Sequence, residues 1–379
     1  MDISQMIRVL RLAFAALSLL GLTVWDSVGR AAEFRGIGTL PGSKQTEVTG
    51  ISADGSAMVG YTISDQEVSP RAYLWTDAGG IESLGSLSPN RFSAATSISA
   101  DGKVIVGGSA KVDTPTNHSE AFRWTRDGGM VALGELPGGE IDSSATGVSA
   151  DGSVVVGVSS VKGGYEAFRW TASAGIEGLG WPRWSNVSAA YGVSGDGQAM
   201  LAQDNHNYLV GGNAYWSFLV RGSEPMQRIE NPDGVRANFG KAISGDGKVV
   251  VGSSTRIVND QVLETPFRWT QETGLVELGN PAGATCCSRA LDVSADGARI
   301  VGSTSIAGKG HSFLWDKLHG FRDLQTLLEA DATTKAAVQG WRLEAAYTIS
   351  DDGTVVAGAG IDPEGHRSVW RAVLDVETR

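Results

Sequence analysis

The stretch "ISADGSAMVG", residues 51–60, holds a β-type run, an Asp-Gly turn and a second β-type run that ends in Gly60. Near copies follow: "ISADGKVIVG" from Ile98, "VSADGSVVVG" from Val148, "VSGDGQAMLA" from Val193, "ISGDGKVVVG" from Ile243, "VSADGARIVG" from Val293 and "ISDDGTVVAG" from Ile349. The turn aspartates are Asp54, Asp101, Asp151, Asp196, Asp246, Asp296 and Asp352, spaced by 47, 50, 45, 50, 50 and 56 residues. A period of about 40–50 residues is that of a propeller blade. Six residues after each Asp comes Gly60, Gly107, Gly157, Gly252, Gly302 or Gly358; the fourth copy has Ala202 there.

Each unit continues with an aromatic strand: "RAYLWT", "EAFRWT", "EAFRWT", "WSFLVR", "TPFRWT", "HSFLWD" and "RSVWRA". These align Trp75, Trp124, Trp170, Trp269, Trp315 and Trp370, with Val220 in the fourth unit. A Gly-bearing turn and a short apolar strand such as "IESLGSL" complete most units. Four short strands per unit, separated by turn signals, predict an all-β, seven-bladed β-propeller of four-stranded blades. The expected blade starts are residues 47, 94, 144, 189, 239, 289 and 345, within a propeller spanning 34–374. The last unit lacks a fourth strand. The segment "EFRGIGTLPG" (33–42) matches the fourth-strand segment of unit two at Gly38, Leu40, Pro41 and Gly42, so it is expected to complete the last blade and hide its edge.

The chain has 379 residues, of which 51 are Gly, and a formal net charge of −11. The Gly content is about twice the usual roughly 7%, as many tight turns require. The negative balance argues against nucleic acid, whose binders present a basic face. Residues 1–31 differ from the rest: Arg8 and Arg11 precede the apolar run "LAFAALSLLGLTVW" (12–25), and small residues follow. That order is expected of a secretory signal peptide, with a retained anchor as the alternative, since the run is shorter than a spanning helix needs. A secreted or periplasmic location follows, with no membrane span after signal removal.

The segments "EAFRWT…GGMVALGELPGG" and "HSFLWD" resemble the bacterial extracellular HAF repeat, named for its His-Ala-Phe core. The resemblance covers roughly residues 34–374 and is weakest in unit four; His itself stands only at His311. It implies a β-propeller outside the cytoplasm and transfers no catalytic residue to this chain.

The repeated Asp-Gly has two readings. As structure, Asp bonds nearby backbone amides and Gly supplies the positive φ of the turn. As chemistry, seven carboxylates could bind calcium, but a Ca²⁺ site needs six to eight oxygens converging on one point, and one carboxylate per blade does not converge. The pattern also resembles the Asp-box of sialidase-type propellers, without that box's second Gly and aromatic. No G-x-S-x-G, P-loop or H-E-x-x-H motif occurs. The five histidines, His118, His206, His311, His319 and His366, lack ligand-like spacing. No metal or cofactor is expected. Cys286 and Cys287 are adjacent and are the only cysteines; two free or separately occupied thiols are expected, with a vicinal disulfide as the alternative. The segment 323–338, "DLQTLLEADATTKAAV", has a helical pattern that Asp323 could cap and is expected to be an insertion.

Function is expected on the face that carries the second-to-third-strand loops and the inter-blade connections, because these segments vary: "WPRWSNVSAAY" (181–191), "DNHNYLVGGNAYW" (204–216) and "RIVNDQVLET" (256–265). The candidate partner or glycan site is Trp181, Arg183, Trp184 and Tyr191, reaching toward Arg236, Arg289 and Arg342; the same rings could instead merely cover the irregular fourth blade. Three functions stay open. The first is a non-catalytic, monomeric binding or scaffold propeller for a protein or carbohydrate ligand. The second is an extracellular polysaccharide hydrolase or lyase, and the third a structural surface protein.

Overall fold

The Asp-Gly turn sets the architecture. In blade 1 the Asp54 carboxylate accepts from the Ser52 hydroxyl at 2.8 Å and from the Ser56 amide at 2.9 Å, while Ser52 Oγ accepts from the Ala57 amide. Gly55 takes φ +68°, open to glycine at little cost. The same Ser-x-Asp-Gly bonding recurs at Ser99–Asp101, Ser149–Asp151, Ser194–Asp196, Ser244–Asp246, Ser294–Asp296 and Ser350–Asp352. Each carboxylate is thus consumed by its own turn, in support of the structural reading. The serine hydroxyls hold Asp101, Asp151 and Asp196 below the usual carboxylate range, Asp151 at about 2.

The computed structural model describes residues 31–64, 70–89, 91–110, 118–139, 142–182, 185–205, 215–222 and 224–375; the expected signal peptide lies almost wholly outside them. Seven four-stranded antiparallel sheets form the ring of a β-propeller. The first strands are Ser43–Ile51, Ser93–Ile98, Ser143–Val148, Ser188–Val193, Ala237–Ile243, Ala284–Val293 and Arg342–Ile349, and they line the axis. Six blades run outward in chain order. The seventh takes Glu33–Gly36 as its outer strand, paired with Arg367–Val373 through Phe34↔Ala372 and Gly36↔Trp370.

The core lies between blades. Second strands such as Val154–Val161 are buried at consecutive positions because both sheet faces are covered. An aromatic ring sits opposite the repeated glycine in every blade that has one: Tyr73 against Gly60, Phe122 against Gly107, Phe168 against Gly157, Phe267 against Gly252 and Phe313 against Gly302. In blade 7 that ring is Trp370, opposite Gly358, and Ala372 takes the place of the other blades' Trp. The sequence alignment of Trp370 with Trp75 and its kin is therefore off by two residues. The reason lies in the strand borrowed from the N-terminal segment: Phe34 stacks at 6.3 Å from Trp370 and fills the layer.

The expected insertion is two short helices, Leu324–Ala330 and Lys335–Val338, rather than one continuous helix. Asp323 caps the first by accepting from the Thr326 amide. Leu324, Leu328 and Val338 pack with Phe34 and Trp370, so the insertion covers the seam of the last blade.

Candidate functional site

The first strand of every blade carries a β-bulge, with the residue five before the turn Asp left out of the ladder. These seven residues are Thr49, Thr96, Thr146, Tyr191, Lys241, Leu291 and Tyr347, and all line an axial lumen of about 240 Å³. In blades 1 to 3 the threonine hydroxyl reaches the following blade, at 2.9 Å from the Ala95 and Ala145 carbonyls and 2.8 Å from that of Ala190. Blade 4 has Tyr191 instead, and Gln203 from its second strand donates to the equivalent carbonyl, Gly240.

From blade 4 onward the lumen carries chemistry. Tyr191 meets Phe239 edge-on at 5.4 Å, and burial raises its phenol above the ordinary tyrosine range. Tyr347 accepts from Arg367, which also bonds Glu47 of blade 1. Asp292, one residue beyond the bulge of blade 6, accepts from its neighbour Val293 N and, on blade 7, from Thr348 Oγ1 and Ile349 N at 2.9 Å each. Burial still pushes its carboxyl up to about 6, the hydrogen bonds and the Lys241 charge opposing. The Lys241 ammonium lines the lumen with no hydrogen bond or ion pair among the described residues. Lys241 is solvent-exposed, the protein packed around it lowers its pKa, and Asp292 is its longer-range counter-charge.

One end of the lumen is bounded by the turns themselves. A closed circle of seven backbone hydrogen bonds runs Ala53 N to Ala100 O, Ala100 N to Ala150 O, Ala150 N to Gly195 O, Gly195 N to Gly245 O, Asp246 N to Ala295 O, Ala295 N to Asp351 O and Asp351 N to Ala53 O, at 2.9–3.2 Å. A Cβ on Gly245 would lie 2.9 Å from that of Ala295, so the ring admits only small residues there.

The sequence-derived candidates that lie among the described residues sit on separate elements. Arg183 and Trp184 lie outside the described residues, as does His206. Trp181 is exposed, while Tyr191 faces the lumen from an inner strand, drawn there by the bulge. Arg236 is exposed. Arg289 is held bidentately by Glu264 of blade 5, and Arg342 by Glu344. Of the expected variable loops, residues 256–265 are instead a β-hairpin: Val249–Val258 pairs with Gln261–Thr270 across a two-residue turn, Asn259 and Asp260 both at positive φ. Cys286 and Cys287 are joined as a vicinal disulfide, with Cys287 at φ +63°, in place of the expected separate thiols. His118, His311, His319 and His366 each lie within 3.8 Å of a different aspartate. Among the described residues no group of three or more His, Cys, Asp and Glu is placed to hold a metal ion, and no helix is long and apolar enough to cross a membrane.

Sequence reasoning missed the lumen, although a signal existed. Stacking the seven copies on their Asp and reading five residues back gives Thr, Thr, Thr, Tyr, Lys, Leu, Tyr, a column that departs from its own repeat in four blades.

No family model and no curated protein matches the chain. Solved structures similar to it include an oligogalacturonate lyase from Vibrio parahaemolyticus (11% identity, TM-score 0.57, covering 93% of this chain and 99% of that one). The β-propeller domain of the Trilobed protease from Pyrococcus furiosus, described as having an open velcro topology, aligns at 9% identity and TM-score 0.57 over 87% of this chain and 94% of that one. TolB from Acinetobacter baumannii aligns at 15% identity and TM-score 0.46 over 73% of this chain, which spans 62% of that TolB. At these identities the likeness is one of fold.

Proposed function

We propose that this chain is a non-catalytic, extracytoplasmic binding propeller that takes its ligand in the axial lumen. The observation that carries the reading is the broken symmetry of the bulge layer. Three blades spend that position on a threonine that ties neighbouring blades together. Four give it up, and one of them leaves an ammonium in the lumen without a close partner among the described residues. A repeat under packing constraint alone has no reason to replace threonine with lysine beside the axis. Several convergent polar groups in one concavity are the general signature of a ligand site. The secretory-type N-terminus and the resemblance to the HAF repeat favour a place outside the cytoplasm.

The test is a pair of assays on the purified protein. Hydrolase and lyase activity is measured on a panel of polysaccharides, and small molecules retained by the native protein are identified by native mass spectrometry. The expected outcome is no turnover and a retained ligand that Lys241→Met releases. Turnover that disappears in Lys241→Met would make the lumen a catalytic site and overturn the reading.

A further inference from the structure

We infer that the lumen ligand is a small hydroxylated organic acid whose carboxylate pairs with Lys241. This rests on the axial reading above and specifies its chemistry.

Size comes first. A lumen of about 240 Å³ holds roughly eight waters' worth of volume at about 30 Å³ each. It is smaller than the ~300 Å³ at which sites for drug-sized ligands begin. One sugar-sized molecule fits within it.

Charge comes second. Lys241 is the only lysine or arginine among the lumen-lining residues, and no hydrogen bond or ion pair engages its ammonium among the described residues. Asp292 is its nearest counterweight, yet that carboxylate is committed to Val293 N, Thr348 Oγ1 and Ile349 N. Asp351 also lines the lumen, in the backbone circle that bounds one end, while the Lys241 ammonium offers three donors, which an anion satisfies. An ammonium and a carboxylate make one of the stronger polar contacts available.

Shape comes third. Opposite Lys241, blades 1 to 3 line the lumen with Thr49, Thr96 and Thr146 and with Gly50, Ser97 and Gly147. The Tyr191 ring lines the same lumen, with its edge fixed by Phe239. Hydroxyl groups on the ligand suit the Ser97 and Tyr191 hydroxyls and the carbonyls of the inner strands better than an alkyl acid would.

The experiment is calorimetric titration of the whole protein with D-glucuronate, D-gluconate and D-glucose. Lys241→Met and Ser97→Phe serve as variants, each checked for an intact fold by melting temperature. Ser97→Phe adds bulk to the lumen lining without changing a charge. The acids are expected to bind about tenfold or more tighter than glucose, the margin of one charge-assisted contact. Both variants are expected to lose them. Binding of glucose as tight as that of the acids, or no binding of either acid at about 10 mM, overturns the acid assignment. If glucose binds and only Ser97→Phe removes it, the acid class falls and the axial site stands. If a probe binds and neither variant affects it, the axial reading falls as well.

Discussion

The glycine six residues after each turn Asp shows how one atom is dictated by a neighbouring strand. A Cβ on Gly157 would lie 2.1 Å from the Ser144 carbonyl oxygen and 2.8 Å from the Phe168 ring. The carbonyl is brought this close by the bulge that skips Thr146, and the same clash recurs at Gly60, Gly107, Gly252, Gly302 and Gly358. Backbone meets one side and a buried ring the other, so neither yields cheaply. Gly157→Ala is expected to destabilise by about 3 kcal/mol, the upper end for overpacking, visible as a lower denaturation midpoint. Blade 4 already accommodates a methyl at Ala202, which is buried. There Ala202→Gly should cost only about 0.5–1 kcal/mol, through backbone entropy. If the two substitutions cost the same, the clash is not what fixes the glycine. This position was legible in the sequence as a repeated Gly. Its reason was not, because a bulge has no residue signature of its own: Thr, Tyr, Lys and Leu all occupy the skipped position.

At the scale of strands, Asp292 clamps the inner strand of blade 6 to that of blade 7. It accepts from two groups of the partner strand, and burial raises its carboxyl to about 6. A carboxylate whose folded pKa lies above its unfolded one favours folding when protonated. Its contribution is complete below about pH 4, declines as pH rises through about 6, and is flat above. A rise of about two units corresponds to at most ~3 kcal/mol, less what solvent in the lumen screens. Asp292→Asn removes the titration but keeps one acceptor oxygen. Relative to the parent, the variant is expected to gain stability between pH 4 and 6, measured by urea unfolding across that range. A difference that stays flat with pH would show that Asp292 titrates as an ordinary carboxylate. The seven strand-turn-strand pieces and the helical segment were readable because turn chemistry and capping are local. The hairpin at 256–265 looked like a loop, because Arg256, Asn259 and Asp260 gave it polar composition while two-residue turn geometry decided its conformation. The blade-7 alignment failed because it depends on Phe34, some 330 residues away in sequence.

The molecule as a whole stands or falls on whether the ring closes, and three layers meet at that closure. On the axis, the Asp351 amide donates to Ala53 and completes the circle of backbone bonds. In the middle, the fully buried Arg371 of blade 7 donates to the Gly55 carbonyl of blade 1 at 3.0 Å, with Glu33 and Asp77 as its acidic neighbours. Arg268 and Arg299 make the same reach to Gly297 and Gly353 at other seams. At the rim, Glu33–Gly36 adds the outer strand; Phe34, 4% exposed, sits between Trp341 at 5.4 Å and Trp370 at 6.3 Å. The match of "EFRGIGTLPG" to a fourth strand made this layer readable; the arginine was not, because aligning Trp370 with the other tryptophans hid that Arg371 shares the place of Arg123, Arg169 and Arg268 after the ring, and the axial circle was not, because its bonds are made by backbone alone. Phe34→Ala should cost about 3–5 kcal/mol as a buried aromatic truncation. Deleting residues 34–40 goes further. It bares the edge of Arg367–Val373 and uncovers Leu324, Leu328 and Val338. It also detaches Glu33, an acidic neighbour of Arg371, from the strand it pairs with, and a buried charge that loses a partner is strongly destabilising. The truncated chain is therefore expected to melt well below the parent in scanning calorimetry. It should also associate through the bared edge in size-exclusion chromatography, as unpaired strands do. If it melts with the parent and stays monomeric, the seam is held by the axial circle and Arg371 alone, and the N-terminal strand is an ornament of the rim rather than part of the closure.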